Sequence, residues 1–237
     1  MTRLPAPPGH LRVLTWNVRN LLGDPLAVAR VLRDASADVA CVQEVSRLPG
    51  SRRRTAHLAR DAGMFFACGG RASAGTALLT SLRADVRAVD ARRLRVRGWR
   101  TRRRGWAEAV VRLPGTDVVT LCSIHLGLDP LERLVHVTSV LRSRIDVEAP
   151  LVVAGDLNEP PGSPSWLCLL EQLRDPGEGT APTYPGRRPR HRIDAVLVDP
   201  RLEVVAYGWP DGVSRDDVLA ASDHLPVLAE VVLPPSP

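Results

Sequence analysis

The 237-residue chain contains no lysine. Its 32 basic residues are therefore all arginines, and against 26 acids they leave a formal net charge of +6 and a pI of about 10.0. Arginine presents a planar fork that meets phosphate oxygens in pairs, so an anionic substrate fits this balance. A GC-rich coding bias explains the same replacement, and the abundance of Ala and Pro agrees with it. The bias by itself selects no partner. Aromatic residues make up only 4% of the chain, so a core must be built mainly from Val, Leu and Ala. The four cysteines, Cys41, Cys68, Cys122 and Cys168, form no C-x-x-C pair. Their scatter argues against a zinc knuckle and outlines no disulfide framework. Cys41 and Cys122 fall in apolar runs, where a thiol behaves as a small hydrophobe. No apolar run is long enough to span a membrane, and Met1 to Gly9 is Pro-rich without a signal-peptide core. A cytoplasmic monomer with a flexible segment over residues 1–10 is expected.

What is present has the ordinary proportions of a globular protein, 44% hydrophobic and 24% charged. Short apolar runs at Leu11–Trp16, Asp38–Val42, Ala77–Thr80, Val86–Val89 and Leu151–Ala154 read as strands. Trp106–Leu113 and Val118–Ile124, separated by Pro114, Gly115 and Thr116, read as an antiparallel hairpin. Further strands are expected at Ile193–Val198, Leu202–Gly208 and Leu225–Leu233. Asp24 followed by Pro25 opens one helical pattern. Others cover Arg52–Asp61, Leu131–Ile145 and Ser165–Leu173. Arg92–Arg104 reads as a hairpin or exposed loop, and Gly177–Arg192 as a polar loop rich in Pro and Arg. With no repeat and no linker, the simplest account is one α/β domain over residues 11–233, with strands of mixed direction and helices outside.

Six polar clusters interrupt the apolar strands: Asn17 in TWN, Glu44 in VQE, His125 in SIHL, Asp156 and Asn158 in GDLN, Asp194 in RID, and Asp223 with His224 in SDH. Each is expected at or just beyond the C-terminal end of its strand, where ligands bind in α/β sheets. Singly, each has a plainer meaning. Asn17 can cap a turn, Asp156 and Asn158 can build a turn beside Gly155, and Glu44 can be a surface acid. Asp194 can face solvent, and His224 can bond to backbone. Jointly, and in this order, they point to chemistry.

The series TWN, QE, HL, GDLN, RID, SDH resembles the endonuclease/exonuclease/phosphatase superfamily, which includes deoxyribonuclease I-like enzymes, and the likeness runs from Val13 to Val227. The resemblance implies a four-layered α/β sandwich, two packed mixed β-sheets flanked by helices. It implies a Mg²⁺-dependent phosphoric ester hydrolase, with Mn²⁺ as an alternative ion. By resemblance Glu44 is the principal metal ligand, Asn17 supplies an amide oxygen nearby, and Asp223 is a further metal or supporting ligand. Asp156 orients or deprotonates the attacking water, and Asn158 donates to a phosphate oxygen. His224 binds or protonates phosphate oxygen while Asp194 holds its ring, which would raise the imidazole pKa.

His125 resembles the histidine carried in this strand by deoxyribonuclease-like, sphingomyelinase-like and related phosphodiesterase or phosphatase branches, where apurinic endonucleases carry other residues, and it would act as a second general acid. The sequence departs from the family at Gly75-Thr76-Ala77, where Asn commonly follows Gly, which leaves the expected partner of His125 unidentified. Arg133, on the helix after His125, matches an arginine of bacterial members that pairs with a carboxylate or with the phosphate; as a binding residue it would touch substrate. A phosphodiesterase or phosphatase is expected, with a DNA or RNA nuclease as the alternative. Arg102–Arg104 and the group Arg187, Arg188, Arg190 and Arg192 offer an electropositive rim, though such runs are commonly solvated loops. Trp99 and Trp106 flank the first run, as in aromatic and cationic surfaces for single strands.

Overall fold

The computed structural model describes residues 7–46, 50–94 and 103–236. The expectations resting on residues 1–6, Gly98, Trp99 and Arg102 lie outside the described residues.

Two mixed sheets carry the architecture. The first runs in the order β10 (Glu203–Gly208), β11 (Val227–Val232), β1 (His10–Asn17), β2 (Val39–Gln43), β4 (Thr76–Thr80) and β3 (Phe65–Gly70). The second runs β5 (Asp85–Arg93), β6 (Gly105–Arg112), β7 (Val118–His125), β8 (Leu151–Asp156) and β9 (Asp194–Val198). Among the described residues, only β1 with β2, and β7 with β8, pair in parallel. Period-two alternation places Leu11 and Val13 of β1 and Val39 and Cys41 of β2 between the sheets. They meet Ala107 and Ala109 of β6, Leu121 of β7 and Val152 and Ala154 of β8 in one buried cluster.

The outward faces are covered by helices. Leu14, Trp16, Ala40 and Val42 pack under α1 (Pro25–Asp34), α2 (Ser51–Asp61) and α5 (Arg215–Ala221). Ile124, Val153 and Leu197 pack under α3 (Pro130–Arg142) and α4 (Pro164–Leu170). The result is the four-layered sandwich, with small aliphatic residues filling the central interface. Asp24 and Asp129 cap α1 and α3 by accepting the amides of Leu26 and Glu132, and each precedes a proline in the first turn.

The differences from expectation have local causes. β3 was not anticipated, because Phe-Phe-Ala-Cys-Gly-Gly shows only partial burial and ends in glycines. α3 stops at Arg142, and the Ile145 amide turns away to donate to Glu108 Oε1 at 3.0 Å. Gly155 does not make a turn; it lies within β8, where a Cβ would come within 2.0 Å of the Ile124 carbonyl oxygen. Trp106 is buried against the α3 and α4 layer and offers no surface to a strand of nucleic acid.

Candidate active site

The topology explains why residues so far apart in sequence meet. Parallel pairing brings the C-terminal ends of β1 and β2 together, presenting Asn17 and, one residue past β2, Glu44. Parallel pairing of β7 with β8 sets His125 directly beside Asp156. The expectation that every cluster stands at a C-terminal strand end is corrected for the last two. Asp194 opens β9, and Asp223 and His224 precede β11. Both strands run antiparallel to their neighbours, with Asp156 opposite Asp194 and Thr15 opposite Val227, so their beginnings lie at the same edge.

At this edge a cavity of about 450 Å³ is lined by Asn17, Glu44, His125, Asp156, Asn158, Asp223 and His224, together with Arg19, Arg104, Tyr184, Leu22 and Leu128. Asp156 is at its floor and buried. Its Oδ2 accepts from Asn17 Nδ2 at 3.0 Å and lies 3.3 Å from His125 Nε2 and 3.9 Å from His224 Nε2. Its Oδ1 accepts the Asn158 amide at 3.0 Å. Burial pushes this carboxyl up, and the Asp194 charge adds to the rise. The His224 charge and the two hydrogen bonds oppose it, leaving a pKa of about 6.

His224 and Asp194 form a buried pair, with Nδ1 3.0 Å from Oδ2 and 3.1 Å from Oδ1. Burial alone would lower the imidazole pKa. The Asp194 charge and hydrogen bond outweigh it, helped by Asp156 and Asp223, and hold it up to about 9. His224 is therefore cationic at neutral pH, with Nε2 turned toward Asp156. Ligand atoms of Asp156, Asp194 and His224 lie within 4.8 Å of one another, a buried acidic and histidine cluster.

His125 finds its neighbour in Asp156, not in Thr76, whose hydroxyl donates to the Gly105 carbonyl. Its Nδ1 lies 3.2 Å from Arg104 Nη1. A guanidinium only donates, so Nδ1 accepts and the ring proton sits on Nε2, facing Asp156. Glu44 sits in the left-handed region at φ 57, as Asn158 does at φ 54. Such non-glycine residues cost about 1 kcal/mol each and occur where a side chain must be aimed. Glu44 Oε2 accepts from Asn20, and Oε1 lies 3.9 Å from Arg104. Asn158 spends one amide hydrogen on the Leu126 carbonyl at 2.9 Å and keeps a second.

Arg133 stands apart. Its guanidinium is buried, donating to Glu159 Oε2 at 2.7 Å and to the carbonyls of Gly127 and Leu128. It braces the loop after β7 and does not line the cavity. Of its two expected pairings, the carboxylate is the one observed. Arg192 likewise leaves the expected rim, pairing with Asp175 and lying 4.9 Å over the Trp166 ring.

Sequence reasoning passed over Thr183, Tyr184 and the position of Arg104. The Thr183 hydroxyl donates to Asp194 Oδ2 at 2.6 Å, and its carbonyl accepts the Leu225 amide next to His224. The Tyr184 ring lies 4.7 Å from the His224 ring. A segment read as a polar loop thus holds the Asp194–His224 pair. Arg104 was one member of an arginine run, and only the pairing of Gly105 with His125 shows it turned inward.

Solved structures share this architecture. The chain superposes on an endonuclease/exonuclease/phosphatase from Beutenbergia cavernae with a TM-score of 0.73 and 24% identity, covering 95% of this chain and 72% of that one. A mannosyl-6-phosphatase of Bacteroides thetaiotaomicron gives 0.76 at 18% identity, covering 94% and 100%. The human Nocturnin catalytic domain with bound sulfate gives 0.73 at 16%, covering 95% of each. No curated protein matches the sequence. The sequence profile of the Endonuclease/Exonuclease/phosphatase family matches residues 14–224. The chain belongs to that family, whose members are hydrolases of phosphate esters.

Proposed function

We propose that this protein is a Mg²⁺-dependent phosphodiesterase or phosphatase in which water attacks phosphorus. The observation that carries the reading is the buried Asp156 carboxylate, set between His125 and His224. Two titratable groups pushed apart by their surroundings mark an acid and a base. Asp156, with a pKa of about 6, is an anion at neutral pH and takes a proton from water. The water oxygen forms the new P–O bond as the bond to the ester oxygen breaks. His224, with a pKa of about 9, supplies a proton through Nε2 to the departing or phosphoryl oxygen. Asp194 stabilises the imidazolium and fixes its ring. His125 fixes Asp156 from the other side, and the remaining Asn158 amide hydrogen meets a phosphoryl oxygen.

The donor set fits a hard cation. Glu44 and Asn17 line the cavity at adjoining strand ends, Asn17 Oδ1 also accepting the Arg19 amide at 2.9 Å, and Asp223 is a further carboxylate of the lining. These residues would hold Mg²⁺, with Mn²⁺ as a substitute. The Asp156, Asp194 and His224 cluster is the poorer holder, because a protonated imidazole has no lone pair to give. When bound, the ion supplies Lewis-acid polarisation of a phosphoryl oxygen.

EDTA is expected to abolish hydrolysis of bis-p-nitrophenyl phosphate, and Mg²⁺ to restore it. Turnover that persists in EDTA would remove the metal from the account. Plasmid DNA, abasic duplex, RNA, sphingomyelin and inositol phosphates, assayed side by side with Mg²⁺, identify the substrate class.

A further inference from the structure

The polar loop between α4 and β9 does more than hold Asp194. Tyr184 lines the cavity and pairs with His191, closing a turn over residues 185–190. The turn is fixed at several points. The Arg190 and His191 amides donate to the Tyr184 carbonyl, and the Gly186 amide donates to the Asp223 carbonyl at 2.6 Å. Asp223 is itself in the cavity wall, so the turn stands at the mouth. Its tip carries Arg187, Arg188 and Arg190, all exposed. None of their guanidinium groups makes an ion pair or hydrogen bond with a described residue.

Next to the turn, Arg215 Nη2 donates to the Gly186 carbonyl at 3.3 Å and lies 6.0 Å over the Trp209 ring. Trp209 is 40% exposed. Cavity, arginine turn and indole therefore form one connected surface on the His224 side. Arg19, at 3.7 Å from Asp223, adds a further cation inside the mouth. Five arginines, Arg19, Arg187, Arg188, Arg190 and Arg215, thus stand in or beside the mouth. Clustered like charges are self-repelling unless an anion answers them. Exposed guanidinium groups on a turn beside a phosphate site, next to an exposed indole, match a chain of phosphates carrying planar bases.

Resting on the hydrolase reading, we propose that this surface is a track for single-stranded nucleic acid. It holds the phosphates flanking the scissile one on Arg187, Arg188 and Arg190 and an unpaired base on Trp209. The ester cleaved is then one linkage of a polynucleotide.

The test uses the full chain and its R187A/R188A/R190A variant. Binding of a fluorescein-labelled oligodeoxythymidine is followed by anisotropy in EDTA across a salt series, and turnover with Mg²⁺ separately. Each phosphate contact contributes about 0.7 to the slope of log affinity against log salt for a single strand. The variant should therefore lose about 2 from that slope and bind on the order of tenfold more weakly at moderate salt. W209A should weaken binding by about tenfold with the slope retained, since stacking is not ionic. Bis-p-nitrophenyl phosphate has one phosphate and does not reach the turn, so its hydrolysis should stay within about twofold in the triple variant. Wild-type affinity and slope in the triple variant would overturn the proposal. So would Mg²⁺-dependent turnover confined to phosphatidylcholine or sphingomyelin vesicles, the outcome favoured by exposed Leu22 and Leu128 at the mouth. Loss of all turnover, bis-p-nitrophenyl phosphate included, in the wild type would sink the hydrolase reading instead.

Discussion

Asp156→Asn is expected to lower kcat by about three orders of magnitude, the effect of removing a well-placed general base. The variant keeps the size of the side chain but only one acceptor oxygen, so it retains the bond from either Asn17 or the Asn158 amide, which Asp156 accepts on separate oxygens. The Asp156 pKa is raised in the folded protein, so its ionisation is disfavoured there relative to the unfolded chain. That lost stability develops as pH rises from about 4 toward about 6, and it is present in full at neutral pH. Removing the charge should leave the melting temperature in EDTA equal to or above that of the wild type. A stabilised but inactive variant is the signature of a group kept for catalysis at the expense of the fold. An Asn variant with wild-type kcat would remove Asp156 from the role of base.

His224→Gln should reduce kcat by about two to three orders of magnitude and reshape the pH profile. In the wild type, activity needs ionised Asp156 and protonated His224. It should therefore fall below about pH 6 and again above about pH 9. Gln cannot titrate, so the limb near pH 9 should vanish from whatever activity remains. The acid limb should move to higher pH, because the His224 charge lowers the Asp156 pKa in the wild type. Steady-state kinetics from pH 5 to pH 10 would show both changes. An unchanged basic limb would assign that ionisation to another group.

These expectations rest on residues that were largely legible in the sequence, and the reason is topological. Asn17, Glu44, His125 and Asp156 each stand at the end of a buried, largely apolar strand, and a polar residue in that place stands out. Asp194 and His224 were found as motifs but set at the wrong end of their strands, because direction depends on pairing and not on local pattern. Arg133 misled for a different reason. Its position suggested a carboxylate or the phosphate as partner, and only Glu159, 26 residues on and brought beside it by the loop after β8, shows that the carboxylate holds it inside. Arg104, Arg192 and Arg187 look alike in a lysine-free chain. The fold buries the first against His125, pairs the second with Asp175 and leaves the third exposed. β3 escaped notice because an edge strand ending in two glycines has little alternation to read.

The central claim is that water attacks phosphorus under the control of Asp156 and His224. Hydrolysis of bis-p-nitrophenyl phosphate in ¹⁸O-enriched water with Mg²⁺, read by mass spectrometry, tests it most directly. The label should appear in p-nitrophenyl phosphate, formed in the wild type and scarcely formed in Asp156→Asn. Label in p-nitrophenol would place the attack on carbon and contradict the account.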